Sequence, residues 1–308
     1  GILLSSQQIA QGMVAKYSRG QEAAADQAAF KYLEALGLSS KGMIDVLYSF
    51  ADQEALSIKN QSSRVRSHPI SRQRIMALEN KAINSKFYNV RDSDDFTYRY
   101  KMIRAKLEGF LKRPDDIIRK YSNNNSDFAI YASSVALYRK ALIREAITKI
   151  DILIKKYPNN PWFYELKGQI FYESGKIYQS IEPYEKAVKY SNNHSLINIA
   201  LASAYLALNS KEFDLKAQQL LNQVIQNEKK NSYAWFQLAI AEARLGNIGK
   251  ADLYSAERYF VLGDANLASF HAKRSKINLK DNGPLLMRAE DIIIDSENKQ
   301  KWKKRCPV

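Results

Sequence analysis

Apolar residues recur three or four positions apart along most of the chain, which is the spacing of helices that bury one face. Near the N-terminus the pattern predicts a helix that begins after a serine cap at residues 5–6 and runs to about Leu36. Gly37 suits the end of this helix, because glycine adopts the left-handed conformation that often follows a last turn. The Ala-rich centre at residues 22–26 predicts close packing against another element.

Two more helices are predicted in the next stretch of sequence. The second follows a serine cap at residues 39–40, and the third begins near Ser71 with Ile75 and Leu78 facing inward. Residues 58–67 between them are polar and basic without periodicity, so a surface loop is predicted there.

A fourth helix and a linker follow. The helix begins at residues 92–95 and ends before Pro114, because the residue that precedes a proline disfavours the helical conformation. The stretch at residues 121–126, Tyr-Ser-Asn-Asn-Asn-Ser, resembles a linker. We therefore place a domain boundary between about residues 110 and 126.

The second half of the chain contains a repeat. Equivalent positions fall at Ile130, Tyr164, Asn198 and Trp235, in steps of 34, 34 and 37 residues, with an insertion at residues 210–214. This period is typical of paired helices that stack into a solenoid. Small residues recur where the two helices of a unit approach each other, at Ser134/Ala146, Gly168/Ser180, Ala202/Ala217 and Ala239/Ala251. The pattern predicts four tetratricopeptide (TPR) repeats.

The predicted fold class is therefore all-α. Residues 1–115 form one helical part, residues 127–264 the four repeats, and residues 265–308 capping helices, at about 265–279 and 284–294, with a basic tail. Composition agrees, since the chain has only 12 Gly and 7 Pro residues in 308, and helix interiors tolerate neither well.

The chain carries a net charge of +15, which would favour acidic partners, nucleic acid or anionic membranes. The basic residues are spread along the chain, and the one dense run is at residues 299–305. We expect that run to be a solvated, flexible tail, with a specific anion contact as the alternative. Charge without a recognised nucleic-acid motif predicts only nonspecific binding, so no specific nucleic-acid partner is expected. The single cysteine, Cys306, excludes an intrachain disulfide.

One segment near the N-terminus carries candidate chemistry. Residues 17–37 read Tyr-Ser-Arg-Gly-Gln-Glu-Ala-Ala-Ala-Asp-Gln-Ala-Ala-Phe-Lys-Tyr-Leu-Glu-Ala-Leu-Gly. Gly42-Met43, Ser67-His68-Pro69 and Arg74-Ile75 follow in order. The order and spacing of these pieces resemble the HtpX/BepA-like zinc metallopeptidases, the gluzincins, in which a C-terminal TPR array also occurs. Residues 1–115 would then be the C-terminal helical part of a zincin-type peptidase domain.

The resemblance implies roles for individual residues. Glu22 matches the family's third zinc ligand, and Asp26 matches the second carboxylate, which orients a zinc-bound histidine. His68 matches a histidine near the metal that acts as a gate or as a donor to the transition state, and Arg74 is expected to support it. Taken without the resemblance, Glu22 and Asp26 read as an ordinary solvated helix face.

The chain departs from the family at the zinc-binding helix. That helix needs H-E-x-x-H, in which two histidines one turn apart bind zinc and the glutamate acts as base. No such motif is present, and the histidines are His68, His194 and His271, of which the last two are expected to be surface or packing residues. We therefore expect this chain by itself to bind no catalytic zinc and to be inactive, either because the motif lies upstream of Gly1 or because it was lost. The first explanation is favoured.

Two functions follow as hypotheses. The resemblance implies a periplasmic zinc endopeptidase in envelope or outer-membrane protein quality control, with proximity to a membrane. The alternative is a non-catalytic TPR scaffold with a degenerate peptidase domain. In both, protein or peptide clients would bind the TPR groove, and Tyr131, Tyr138, Tyr172 and Tyr205 are candidate contacts.

Overall fold

The computed structural model describes residues 20–57, 72–279 and 283–305, and every regular element in those ranges is a helix. The chain divides into two compact units, Gly1–Tyr100 and Lys101–Val308. The three-part division predicted above stays a prediction. No helix in the described part of the chain is long and apolar enough to cross a membrane.

The first unit contains α1 (residues 20–35), α2 (Lys41–Ser57), α3 (Arg72–Ile83) and the start of α4 (Asp94–Leu111). Its core is formed by Ile44, Ile75, Leu78 and Ala82, all buried, so the predicted inward face of the third helix is confirmed. The loop predicted at residues 58–67 and the first turns predicted from residue 5 lie outside the described residues.

The turn between α1 and α2 explains why α1 ends where the sequence predicts. Gly37 has φ of +69°, a left-handed conformation that costs other residues free energy, and the ring of Phe87 lies 3.5 Å from where a Cβ would be. The Ser39 hydroxyl then accepts a hydrogen bond from the backbone N–H of Lys41 and donates to the carbonyl of Tyr88. One serine thus caps α2 and ties it to the turn after α3.

In the second unit, α4 is followed by helices that form consecutive antiparallel pairs. These are α5 (Pro114–Lys120), α6 (Asp127–Arg139), α7 (Ile143–Lys156), α8 (Pro161–Glu173), α9 (Ile177–Tyr190), α10 (Ser195–Ala207), α11 (Lys211–Asn227), α12 (Ser232–Arg244), α13 (Ile248–Leu262), α14 (Ala265–Asn278) and α15 (Gly283–Arg305). The first helices of successive pairs begin at residues 127, 161, 195, 232 and 265, so the steps are 34, 34, 37 and 33. Four helix pairs therefore lie between residues 127 and 262, and α14 and α15 continue the array as a further pair.

The predicted small-residue positions are where the two helices of a pair meet. The Ser134 hydroxyl of α6 donates to the carbonyl of Ala146 in α7, at 2.9 Å. In the next pair, a Cβ on Gly168 would lie 2.7 Å from the ring of Tyr184. Ala202 and Ala217 are both fully buried in the third pair. These contacts are those of TPR units, and they confirm an all-α TPR solenoid.

The three extra residues of the third repeat lengthen its second helix. α11 has 17 residues and α9 has 14, a difference of three that equals the difference between the 37- and 34-residue steps. The Ser210 side chain caps α11 by accepting a hydrogen bond from Phe213 N. The Phe213 ring stacks on Tyr205, with centroids 5.3 Å apart, so the insertion adds an aromatic contact within the pair.

The C-terminal helix differs from the sequence prediction. α15 was expected to end near residue 294, with a flexible basic tail after it, but its backbone is helical to Arg305. The early turns are anchored, because Ala289 and Ile292 are fully buried. The Lys299 ammonium lies 4.5 Å from the centre of the Phe260 ring, so the start of the basic run packs against α13.

Candidate functional site

Two carboxylates of α1 lie one helical turn apart on the same face. Glu22 and Asp26 retain 22% and 13% of their side-chain exposure. Like charges at this spacing repel each other, and partial burial strengthens the repulsion. A cation beside the pair would offset this repulsion.

Arg74 of α3 is that cation. Its Nε and Nη2 lie 2.8 Å and 2.7 Å from Oδ2 of Asp26, and Nη2 lies 3.4 Å from Oε2 of Glu22. The guanidinium is only 11% exposed, so these charge-assisted hydrogen bonds are shielded from solvent. Nη2 of Arg74 makes both ion pairs, so one guanidinium nitrogen bridges the two carboxylates.

The local fold explains why Arg74 reaches α1. Ile75 and Leu78, next to it on α3, are buried in the core of the first unit, which fixes the orientation of the helix. Sequence reasoning assigned Arg74 to the support of His68, and the structure joins it to Glu22 and Asp26. His68 itself lies outside the described residues.

The carboxylate pair fits one part of a zinc site. Zinc in a peptidase takes three protein ligands, and Glu22 would supply one of them. Asp26 is placed to support a ligand, with Arg74 holding both. Within the described ranges, no group of three or more potential metal ligands is found. The described residues here are two carboxylates of α1 bridged by one guanidinium of α3.

The other two histidines have structural surroundings in the second unit. His194 precedes α10 and packs edge-on against Trp162, with ring centroids 5.3 Å apart. His271 of α14 places Nδ1 at 3.2 Å from Oδ1 of Asp252 and stacks on Tyr259. Both have the packing roles expected from the sequence.

The first helices of the TPR pairs form a second candidate site. Of the four tyrosines predicted to contact a client, Tyr131 and Tyr205 are buried, so that prediction is wrong for both. The ring of Phe163 covers Tyr131, and the hydroxyl of Tyr205 donates to Glu185.

Tyr138 and Tyr172 are half-buried, so part of each side chain is accessible to solvent. The Tyr138 hydroxyl donates to Glu173, and burial together with this hydrogen bond raises the pKa of Tyr138 well above its ordinary value. Lys106 pairs with Glu165 of α8 at 2.6 Å. Glu173 is exposed, so this face keeps a carboxylate that solvent reaches.

Sequence reasoning missed several exposed side chains on this face. Trp162, Leu196 and Tyr233 are each the second residue of a first helix and are all exposed. Gln237 and Ser203, which hydrogen-bond to each other, were also missed. The 34-residue period could have found the first three, because each precedes a repeat-equivalent position by two residues.

Known proteins are similar to both parts of the chain. Residues 1–82 match the model of Peptidase family M48. The chain is 24% identical over 295 residues to the Beta-barrel assembly-enhancing protease of Escherichia coli K12, covering 92% of this chain and 58% of that protein. It is 23% identical over 201 residues to the Yersinia pestis protein of the same name, covering 64% and 41%. The chain thus spans less than two thirds of the length of these relatives.

Two solved structures are similar over part of the chain. One is YrrB, described as a TPR protein with an unusual peptide-binding site, at 15% identity and a TM-score of 0.45, covering 56% of this chain and 90% of that one. The other is MamA, at 16% identity and a TM-score of 0.40, covering 56% and 97%. The TPR assignment above depends on this chain's own spacing and contacts.

The family resemblance predicted from residues 17–75 is confirmed. Residues 1–82 match the model of a metallopeptidase family, a TPR array follows them, and the chain is similar to β-barrel assembly-enhancing proteases over most of its length.

Proposed function

We propose that this chain is part of a zinc-dependent metalloendopeptidase whose TPR domain binds polypeptides. The observation that carries the proposal is the pair of shielded carboxylates, Glu22 and Asp26, held by Arg74 within the segment that matches the peptidase family. On an ordinary solvated helix face, the two carboxylates would not share an arginine that is itself only 11% exposed.

In this proposal Glu22 is a zinc ligand, and Asp26 orients a histidine ligand that this chain does not contain. His68 acts as a gate or as a donor to the transition state. Zinc, when bound, would supply a Lewis acid that polarises the scissile carbonyl. The chain's own contribution is the fixed position of Glu22, since Arg74 holds that carboxylate in place through Oε2.

The TPR domain would hold the client. The named relatives are proteases that enhance β-barrel assembly. By analogy we propose that the clients are envelope or outer-membrane polypeptides and that the protein acts in the bacterial periplasm.

Cleavage of unfolded casein by the whole protein tests the proposal. We expect zinc-dependent cleavage by the wild type and loss of cleavage in Glu22→Gln. Asp45→Asn, which removes an exposed carboxylate of α2 in the same unit, is the control and should leave cleavage unchanged. Absence of cleavage by the wild type, with polypeptide binding retained, would favour the non-catalytic TPR scaffold.

A further inference from the structure

A row of five uncharged side chains crosses three consecutive first helices of the TPR array. We call it the inner row: Gln169 and Tyr172 from α8, Ser203 from α10, and Tyr233 and Gln237 from α12. α10 lies between the other two and contacts both. Hydrogen bonds join three of the five side chains, Ser203, Tyr233 and Gln237, and the other two lie one turn apart on the neighbouring α8.

Gln237 is held rigidly and presents one free acceptor. The residue is only 8% exposed, and its Nε2 donates to Ser203 Oγ at 3.0 Å and to the Tyr233 hydroxyl at 2.7 Å. Both amide hydrogens are therefore used. Its Oε1 accepts no hydrogen bond from the described residues, and it is not one of their enclosed atoms, so solvent reaches it. A fixed amide oxygen of this kind suits an N–H donor from outside.

Tyr172 presents a second polar group on the same face. Its hydroxyl makes no hydrogen bond to any residue that the structure describes, and it is not enclosed. Burial raises the pKa of Tyr172, and the nearby phenol of Tyr233 and the carboxylate of Glu173 raise it further. Tyr172 and Tyr233 belong to α8 and α12, the two first helices that contact α10 from either side.

The inner row lacks the positive charge that dominates the chain. No ion pair or cation–ring contact of the described residues involves any of its five side chains. Glu173 at its edge accepts hydrogen bonds from Tyr138 and Gln169. The guanidinium of Arg258 lies 4.4 Å from the centre of the Phe236 ring, beside the row. An acidic partner, which the net charge of +15 would favour, finds no matched cations in this row.

We propose that the inner row binds an extended, uncharged polypeptide segment through main-chain N–H groups. These N–H groups donate to Gln237 Oε1 and to the Tyr172 hydroxyl, and an aromatic or branched apolar side chain packs between Tyr172 and Tyr233. A helical segment is excluded, because its N–H groups are already bonded internally, whereas an extended segment exposes them at regular intervals. The proposal depends on polypeptide binding by the TPR domain and adds the chemistry of the ligand.

Two labelled peptides of equal length test the proposal with the 308-residue chain. One alternates Thr with Tyr or Val, and the other is rich in Asp and Glu. Fluorescence anisotropy would measure Kd at low and high salt. We expect the neutral peptide to bind with a Kd that salt changes less than about twofold, because no ion pair forms. N-methylation of alternate amides should weaken binding about tenfold, the effect of losing one or two hydrogen bonds.

Variants locate the site. Tyr172→Phe removes only a hydroxyl and should weaken binding of the neutral peptide severalfold, and Tyr233→Ala should weaken it about tenfold. Tyr178→Ala is the matched control, because Tyr178 is 76% exposed on the second helix α9, and it should bind as the wild type does. Circular dichroism would check that each variant is folded.

The outcomes separate this proposal from the proposed function. Unchanged affinity after N-methylation, or in both inner-row variants, would overturn the main-chain recognition while leaving polypeptide binding intact. Tighter, salt-sensitive binding of the acidic peptide would overturn it as well. Failure of the wild-type chain to bind either peptide would contradict polypeptide binding by the TPR domain itself.

Discussion

Substitution of Gly168 by alanine should destabilise the second unit, although alanine is the better helix former. A Cβ at this position would lie 2.7–2.8 Å from three ring atoms of Tyr184, whereas carbon atoms in contact are normally about 3.5–4.0 Å apart. Tyr184 is only 3% exposed, so its ring has little room to move away. The chain must therefore separate α8 from α9 to accept the methyl group.

The magnitude follows from two opposing terms. Overpacking a core costs about 1–3 kcal/mol. Replacing glycine by alanine within a helix gains about 1 kcal/mol. We expect Gly168→Ala to lower the free energy of unfolding by about 1 kcal/mol, and Gly168→Val to lower it further. Gly283→Ala is the control, since no atom lies within 4 Å of its Cβ position, and it should leave the stability unchanged or slightly higher.

The third repeat suggests a rescue. There the equivalent positions hold Ala202 and Leu221, both buried, so an alanine fits where the facing side chain is not a tyrosine. The double variant Gly168→Ala/Tyr184→Leu should therefore be less destabilised than the sum of its single variants, by about 1 kcal/mol. Urea unfolding followed by circular dichroism measures all four free energies. Strict additivity, or a Gly168→Ala variant more stable than the wild type, would refute the steric argument.

Three further predictions concern charges and caps. Hydrogen bonds from Lys120 and Tyr121 lower the pKa of buried Glu108 from 4.5 to about 2. Because the pKa of Glu108 is lower in the folded protein than in the unfolded one, its carboxylate stabilises the fold above about pH 4.5 and loses that effect as pH falls towards 2. In urea unfolding at a series of pH values, Glu108→Gln should lack this acid-sensitive part of the stability. Arg74→Lys replaces a planar guanidinium with several N–H donors by a single ammonium group, and it should destabilise the first unit by about 1–3 kcal/mol in thermal unfolding. Arg72→Lys, at an exposed position, is the control and should have no effect. Asn231→Ala should cost the second unit about 1 kcal/mol in urea, because the Asn231 side chain accepts a hydrogen bond from Ala234 N at the start of α12, and an unchanged midpoint would contradict this capping role.

The repeat architecture was predictable because TPR packing imposes a local rule on the sequence. Small residues must recur where two helices approach, and Gly168 and Ala202 satisfy that rule at a fixed distance from their helix starts. The same rule does not fix which tyrosines are exposed. Phe213, in the first turn of the lengthened α11, stacks on Tyr205, and Phe163 of α8 packs against Tyr131. Both tyrosines are therefore covered by residues that periodicity does not pair with them.

The candidate zinc-site residues, too, could be predicted only in part from the sequence. Glu22 and Asp26 could be identified only through the resemblance, because two carboxylates at this spacing are common on solvated helices. Their partner, Arg74, lies 52 and 48 residues further along the chain, and only the packing of α3 brings it to them. Periodicity predicts that Ile75 is buried, but it does not predict which side chain its neighbour will contact.

Zinc stoichiometry measured by native mass spectrometry tests the central claim most directly. The account predicts one zinc ion per molecule of the whole protein, loss of that zinc in Glu22→Gln, and none bound tightly by the 308-residue chain, which lacks the H-E-x-x-H ligands. A whole protein without zinc, or a Glu22→Gln variant that retains it in full, would contradict the assignment of Glu22 as a metal ligand.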